Sequence, residues 1–392
     1  MVPNNWLWIK MSSVCKLERG ITFPATAKEK KSSPNNIPCL RTTNVQEKLR
    51  IDDLIYVDKI YMKNNPAKLV CVDDIIMSSA NSRELVGKTC YVDNLPFPMT
   101  FGGFVLNIRA KGILSKYLFY FLRHEFLLGK FMEKSSQTVN IANINTSKLS
   151  NYLIPLPPLD EQQRIVDIIE SLFAKLDKAK ALAQNVINNY ELRRSSILHK
   201  VFDNSYAKIK LSQILSASKE TTTDFSKPNL KYIGLENMKK NYGIISYENA
   251  EKIKSSKKIF RKGQILYGKL RPYLNKHDIA KFDGVCSTDI IVLDNIEELA
   301  EKKYINYYFD YDKFIDYINC NSKGIILPRV TKDILLNAEC PLPTIEEQNK
   351  IVYILDSLFA KEQQTKELAE QILQKIDLMK KSILARAFRG EL

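Results

Sequence analysis

The chain has 392 residues, 45% apolar and 26% charged, the make-up of an ordinary globular protein of two or three domains. Nothing approaches a membrane-spanning apolar run, and Met1-Val-Pro-Asn-Asn-Trp6 has neither the basic region nor the apolar core of a secretory signal, so a cytoplasmic protein is expected. The formal charge of +15 favours a polyanionic partner, and seven scattered cysteines, never in C-x-x-C spacing, read as reduced thiols rather than a disulfide framework or a zinc site.

Residues 1–150 read as a first α+β head. Short β-type runs such as Ile37 to Val45 alternate with turn residues and give way to an aromatic helical run from Tyr117 to Leu122. Up to residue 159 there are 21 Lys/Arg against 12 Asp/Glu. Candidate contacts to phosphates or base edges are Arg41 and Asn44 in Arg41-Thr-Thr-Asn44, Arg83 in Asn81-Ser-Arg83, and Asn143.

Residues 151–204 form a helical region. After Pro155-Leu-Pro-Pro158, the positions Ile165, Ile169, Leu172, Leu176, Ala179, Ala183, Val186, Tyr190, Arg193 and Ile197 step by four and three alternately. That is a heptad seam, broken only by Arg193, with no Gly or Pro from Asp160 to Phe202. Such a helix of about 42 residues is about 63 Å long at 1.5 Å per residue, and so wide an apolar stripe needs a partner helix.

Residues 205–337 read as a second α+β head, with β-type runs at Lys231 to Met238 and Ile290 to Leu293. Tyr304, Tyr307, Tyr308, Tyr311, Phe314 and Tyr317 have helical spacing and are expected in the core rather than as a base-stacking platform. Basic residues concentrate around a Gly/Pro-punctuated turn, giving Lys258, Arg261, Lys269 and Arg271 as candidates, joined by Lys323 and Arg329.

Residues 338–392 are the second helical region and carry the most informative feature of the chain. Residues 138–204 recur without a gap as residues 324–390, at an offset of 186. Pro155-Leu-Pro-Pro-Leu-Asp-Glu-Gln162 returns as Pro341-Leu-Pro-Thr-Ile-Glu-Glu-Gln348, and Ser171-Leu-Phe-Ala-Lys175 returns unchanged at Ser357. The second seam becomes Ile351, Leu355, Leu358, Glu362, Thr365, Ala369, Ile372, Ile376, Met379 and Ile383, interrupted at Glu362 and Thr365. Thr344 and Glu347 predict a capping box, and Asn204 and Gly390 predict left-handed caps. The heads are related more faintly: Ile9-Lys-Met-Ser12 resembles Ile209-Lys-Leu-Ser212, and Asp74-Ile-Ile-Met77 aligns with Gln264-Ile-Leu-Tyr267. Helix one leads into the second head and helix two starts from it, so a pairing of the two requires helix two to run back. The helical regions are nearly neutral, 7 Lys/Arg against 7 Asp/Glu in residues 160–204 and 8 against 9 in residues 338–392. The positive excess therefore lies in the heads, 23 against 16 in residues 205–337.

No catalytic constellation assembles. Gly87-Lys-Thr89 imitates the end of a P-loop, but Ser82 stands where its first Gly is needed. Glu29-Lys-Lys31 and Glu301-Lys-Lys303 lack the upstream Pro-Asp of a nuclease, and Phe101-Gly-Gly-Phe104 is not a cofactor glycine loop. His124, His199 and His277 are isolated, so a binding protein holding no cofactor or metal of its own is expected.

Three stretches together resemble the specificity subunit of type I restriction-modification systems: Pro3-Asn-Asn-Trp6 with Trp8 and Lys10, Pro155 to Gln163 with its copy at Pro341, and the closing Ser382-Ile-Leu-Ala-Arg-Ala-Phe-Arg-Gly-Glu-Leu392. The similarity covers essentially the whole chain. It implies two α+β target-recognition domains separated by a long antiparallel two-helix coiled coil, with a pseudo-twofold internal repeat. It further implies that each domain reads one half of a bipartite double-stranded DNA target, while the helices set the spacer and dock two methyltransferase subunits. Restriction/translocase subunits join that assembly, and S-adenosylmethionine, ATP and Mg are then expected on partner subunits only. The same resemblance admits a type IIB-like system with fused methylase-nuclease partners.

Overall fold

A computed structural model describes residues 6–134, 136–138, 141–296, 299–324 and 326–392; Pro3 to Asn5 of the opening motif lie outside the described residues. The chain divides into two compact units, Met1–Leu182 with Gln371–Leu392, and Ala183–Glu370.

In the first unit, strands Cys15–Arg19, Val105–Ala110, Ile75–Ser78 and Thr89–Tyr91 form, in that spatial order, a four-stranded antiparallel sheet. Its central strand Ile-Ile-Met-Ser is buried throughout, so both faces need cover. The period-two alternation of a strand supplies it. Ile75 and Met77 point into a core with Tyr117, Leu118 and Phe121 of the Ser115–Leu127 helix, while Ile76 joins Leu40, Phe101 and Val105 on the other side. A smaller sheet sets Asn36–Leu40 antiparallel to Ile55–Asp58 and parallel to Thr100–Phe101. The strand Leu7–Lys10 pairs with Leu153–Leu156 and delivers Met11 to the core.

The second unit repeats this plan. Strands Leu215–Ala217, Ile290–Asn295, Ile265–Gly268 and His277–Ile279 form the four-stranded sheet beneath the aromatic helix Lys302–Phe309. The parallel pair recurs as Lys231–Ile233 with Gly284–Cys286, and the terminal pair as Lys208–Lys210 with Glu339–Pro341. Ile9 sits opposite Ile154 and Ile209 opposite Cys340, so the faint likeness of the two heads is a correspondence of register. Tyr304, Tyr308, Tyr311 and Phe314 are buried, as their spacing predicts. The β-type runs predicted to reach Val45 and Met238 are shorter: each strand gives way to a 3-10 turn, at Thr42–Asn44 and at Leu235–Asn237.

The duplicated Pro/Gln motif has a mechanical meaning. Tyr117 donates its hydroxyl to the Pro155 carbonyl at 2.8 Å, and Tyr304 donates to Pro341 at 2.7 Å. The buried Gln162 side chain donates to the Pro157 carbonyl (2.9 Å) and accepts from the backbone N–H of Leu114 (2.8 Å), the cap of the aromatic helix. Gln348 does the same between Pro343 (2.9 Å) and Glu301 (2.8 Å), and also donates to Leu299 (3.0 Å). Each glutamine thus ties the start of a long helix to the start of its own head's aromatic helix.

The long helices depart from expectation in four ways. The first is two segments, Leu159–Asn188 and Tyr190–Phe202, interrupted at Asn189, whose amide donates back to the Asn185 carbonyl at 2.9 Å. Asn side chains compete with the helix for backbone partners, and that is where this helix yields. The second helix, Ile345–Ala387, is continuous. Gly390 takes the predicted left-handed conformation (φ 71°), but Asn204 is not among the residues with positive φ. The Glu347 N–H donates to the Thr344 hydroxyl (3.4 Å), while the Glu347 carboxylate accepts from Tyr206 (2.6 Å) rather than completing a capping box.

The fourth departure is the phase of the second seam. Leu358, Ile372 and Met379 are exposed. The covered positions lie one residue later: Val352, Phe359 and Lys366 in the second unit, and Leu373 and Lys380 in the first. The first seam is covered as predicted, from Ile165 to Ile197. In the first unit the two helices meet antiparallel, with Arg164 donating to the Leu392 carbonyl (2.8 Å) and Lys380 pairing with Asp177 (2.6 Å). In the second unit Tyr190 donates to Gln363 (3.1 Å) and Arg193 pairs with Glu362 (2.7 Å). The polar residues that interrupt the two seams, Arg193 and Glu362, are therefore each other's partners. Phe388 packs among Tyr117, Phe121 and His124, and its counterpart Phe202 among Tyr304, Tyr308 and Tyr311.

Candidate nucleic-acid interface

In the second unit the turn after strand Ile265–Gly268 and the loop before helix Lys332–Leu336 are joined by backbone bridges. Arg329 bridges both Leu270 and Lys323, Val330 N–H donates to Lys269 (3.0 Å), and Arg271 N–H donates to Pro328 (2.8 Å). Arg271 itself has φ 51°, a strained left-handed conformation for a non-glycine residue. This crossing gathers Lys269, Arg271, Lys323 and Arg329 on one surface, with Lys258 beside Lys269. Burial, then the charges of Lys269 and Lys332, hold the Lys258 ammonium below its usual 10.5. Arg329 has a loose ion pair to Asp289 (3.6 Å), and Lys269 donates to the Thr288 carbonyl (2.7 Å), which carries no charge. Cations gathered so that Lys269 and Lys332 add to burial in disfavouring the Lys258 charge suit a phosphate-binding surface. Lys332, missed in the sequence, belongs to this cluster; it lies three residues after Arg329 in the same basic stretch.

The first unit presents the same backbone frame with other side chains. The strand Ile141–Asn143 pairs with Ala80–Asn81, so that Asn143 lies opposite Ala80 as Arg329 lies opposite Leu270. Backbone bonds confirm the alignment: Ser79 N–H donates to Phe104 (3.0 Å) where Lys269 N–H donates to Asp289 (2.8 Å). At equivalent places one unit therefore shows Ser79, Asn81, Phe104 and Asn143, and the other Lys269, Arg271, Asp289 and Arg329. Phe104 is 61% exposed and borders a cleft with Arg19, Lys28 and Arg41. Arg83 is exposed on the turn that follows Asn81. Neither Phe104 nor Asp289 stood out in the sequence, because only the paired strands place them beside the variable turn.

Two candidates fall outside this frame. Asn44 is 1% exposed and holds its own loop together, accepting from Arg41 N–H (2.7 Å) and donating to the Arg50 and Asp53 carbonyls (both 2.9 Å). Asn237 does the same job in the second unit, accepting from Gly234 N–H at 2.8 Å. Arg261 makes a two-bonded pair with Glu220 (2.9 and 2.7 Å) away from the cluster, so its charge is already matched. Arg41 occupies an intermediate place: it lines the Phe104 cleft, but its guanidinium is tied to Asp53 at 2.9 Å.

What these surfaces can do is donate. Arginine forks match phosphates or guanine edges, asparagine amides match adenine, and exposed lysines supply affinity independent of sequence. Among the described residues no cluster of three His, Cys, Asp or Glu side chains is placed to hold a metal ion. No helix among them is long and apolar enough to cross a membrane.

Comparison with known proteins shows what the chain is similar to. The chain is 25% identical over 432 residues to the Type I restriction enzyme EcoKI specificity subunit of Escherichia coli K12, covering all of this chain and 90% of that one. It is 25% identical over 426 residues to the StySPI specificity subunit of Salmonella potsdam, with the same coverage. Its fold matches a chain solved in work on complex assembly and conformational transition of the type I R-M system (TM-score 0.74, 19% identity, all of both chains). It also matches the HsdS subunit from Thermoanaerobacter tengcongensis (TM-score 0.65, 18% identity, all of this chain and 98% of that one). Residues 3–188 and 204–374 each match the type I restriction modification DNA specificity domain, and the chain belongs to that family, with one domain in each half.

Proposed function

We propose that this chain is the reading head of a DNA-modifying assembly, in which each unit recognises one half of a bipartite double-stranded target. The observation that carries the reading is the crossed-loop frame, present in both units with different donors at equivalent positions. Side chains at Lys269, Arg271, Lys323 and Arg329 read or grip one half-sequence, and those at Asn81, Arg83, Phe104 and Asn143 the other. Phosphate contacts supply affinity that falls with salt, and the few base contacts supply discrimination.

In this reading the two long helices act as an antiparallel coiled-coil spacer, so that the unread gap follows their length. They also dock two methyltransferase subunits, with restriction/translocase subunits joining in the cytoplasm. Exposed apolar side chains on the Ile345–Ala387 helix support docking: Tyr353, Ile354, Leu358 and Leu368 in the second unit, and Ile372, Leu378 and Met379 in the first. S-adenosylmethionine, ATP and Mg belong to those partners.

The test is binding of the reconstituted chain–methyltransferase complex to its methylated target, measured by anisotropy across a salt series. Arg271→Ala with Arg329→Ala is expected to weaken binding at least tenfold and to flatten the salt slope by about one per lost phosphate contact. Unchanged affinity and slope would remove the second cluster from the interface. Insertion of equal lengths in both helices is expected to widen the gap in the methylated sequence; altered half-sequences would refute the spacer.

A further inference from the structure

The loop between Lys323 and Arg329 has a tip that the cationic frame does not account for. Ile326 is 87% exposed and Leu327 46% exposed. They crown a narrow hairpin whose neck is closed by Lys323 and Arg329, each donating its N–H to the other's carbonyl (2.9 and 2.8 Å). Gly324 has φ +104°, and a Cβ there would lie 3.0 Å from the Leu327 carbonyl oxygen, while the Pro328 carbonyl accepts from Arg271 N–H. Two branched aliphatics are thus presented to water amid exposed cations on Lys323, Arg329 and Arg271.

An apolar tip in a cationic rim selects for a partner that is anionic around its edge and carries apolar groups within. The DNA major groove fits: it admits a two-stranded ribbon, its walls are phosphates, and the apolar group on its floor is the thymine C5-methyl. We propose that Ile326 and Leu327 read thymine methyl groups in the half-sequence recognised by residues 205–337. The inference rests on the DNA-reading function proposed above. It predicts that this half-sequence contains at least one thymine whose methyl is contacted, and that discrimination there is by shape and apolar contact rather than hydrogen bonding.

The experiment uses the full chain reconstituted with its methyltransferase partner, and duplexes in which each thymine of the target is replaced singly by deoxyuridine, which lacks only the methyl. At one or two positions in this half-site, loss of the methyl is expected to weaken binding about fourfold. Ile326→Ser with Leu327→Ser should bind the thymine duplex as weakly as wild type binds the deoxyuridine duplex, and should no longer tell the two apart. Sensitivity at thymines of the other half-site is expected to stay as it was. Two outcomes overturn the inference while leaving DNA reading intact: equal binding of every deoxyuridine duplex by wild type, or preserved thymine preference in the double variant. Failure of the double variant to assemble with the methyltransferase, with wild type indifferent to the methyl, would assign the tip to a protein contact and overturn it too. Absence of sequence-specific binding by the wild-type complex would instead defeat the proposed function itself.

Discussion

Replacing Arg194 by Met should damage the second unit far more than its position on a long polar helix suggests. Arg194 donates to Asp310 at 2.9 Å, with side-chain exposures of 10% and 8%, and its guanidinium lies 3.9 Å from the centre of the Phe359 ring. The other Asp310 oxygen faces His277 Nε2 at 3.0 Å, and His277 Nδ1 faces Asn306 at 2.8 Å. Methionine keeps contact with Phe359 but leaves the buried carboxylate to His277 and to the Asn275 amide, which donates to it at 3.1 Å. Removing one member of a buried pair costs about 3–5 kcal/mol, and the remaining imidazolium places this case near 3 kcal/mol. In a unit the size of Ala183–Glu370 that lowers Tm by about 6–12 °C. The double variant Arg194→Met/Asp310→Asn removes both charges and should recover most of the loss. Burial opposes the His277 imidazolium, but Asp310 and Asn306 outweigh it and raise the group above 6.5. Its contribution is therefore complete below pH 6.5 and is lost as pH rises through the raised value. Asp310, held below 3.8 against burial by His277 and Arg194, contributes above that pH and fails only as pH falls through its depressed value. Calorimetry of the single and double variants at pH 6 and 8 should show a larger single-variant deficit at pH 8. Equal losses in single and double variants, or a single-variant shift under about 2 °C, would refute the argument.

Gln348→Ala should cost about 2–4 kcal/mol in chemical denaturation, because it strips partners from the Glu301 N–H and the Leu299 and Pro343 carbonyls; an effect below about 1 kcal/mol would deny the tie its role. His124, stacked on Phe388, is pushed down to about 4 by burial first and by Arg389 second, so the first unit should lose stability as pH falls from 6.5 towards 4, and His124→Gln should abolish that slope. Cys71 and Cys320 are exposed and should react first with a thiol reagent at neutral pH; Cys15, Cys39, Cys90 and Cys286, buried and pushed up to about 12, should react only on unfolding, as mass spectrometry of the labelled native chain will show.

Much of this architecture is legible in the residues, for identifiable reasons. The ungapped repeat carries over because equal length is a geometric demand on paired helices, and the aromatic residues from Tyr304 to Phe314 announce a core because helical spacing and burial coincide. The second seam was misread by one residue at alternate turns. Lys366 and Lys380 look like surface residues, yet the first lies 4.5 Å from the Tyr190 ring centre and the second 5.1 Å from Phe173, their stems covered by the partner helix. Arg194 and Lys380 are equivalent positions of the repeat, as are Phe359 and Phe173, so the buried cation over a phenyl ring is itself duplicated. Nothing in a single sequence separates such a lysine from a solvated one. Asn44 is buried for a related reason: an asparagine four residues after a strand end closes a turn as readily as it reads a base. The surface frame was legible only in part, since Arg271 and Arg329 stand out as charges whereas Phe104 gains meaning only once its strand is paired.

The most direct test of two independent reading units is to exchange residues 1–150 for those of a related chain and sequence the methylated adenines of cells carrying it, molecule by molecule. One half of the methylated sequence should change while the other half and the gap between them stay the same. A change in both halves, or in neither, would contradict the account.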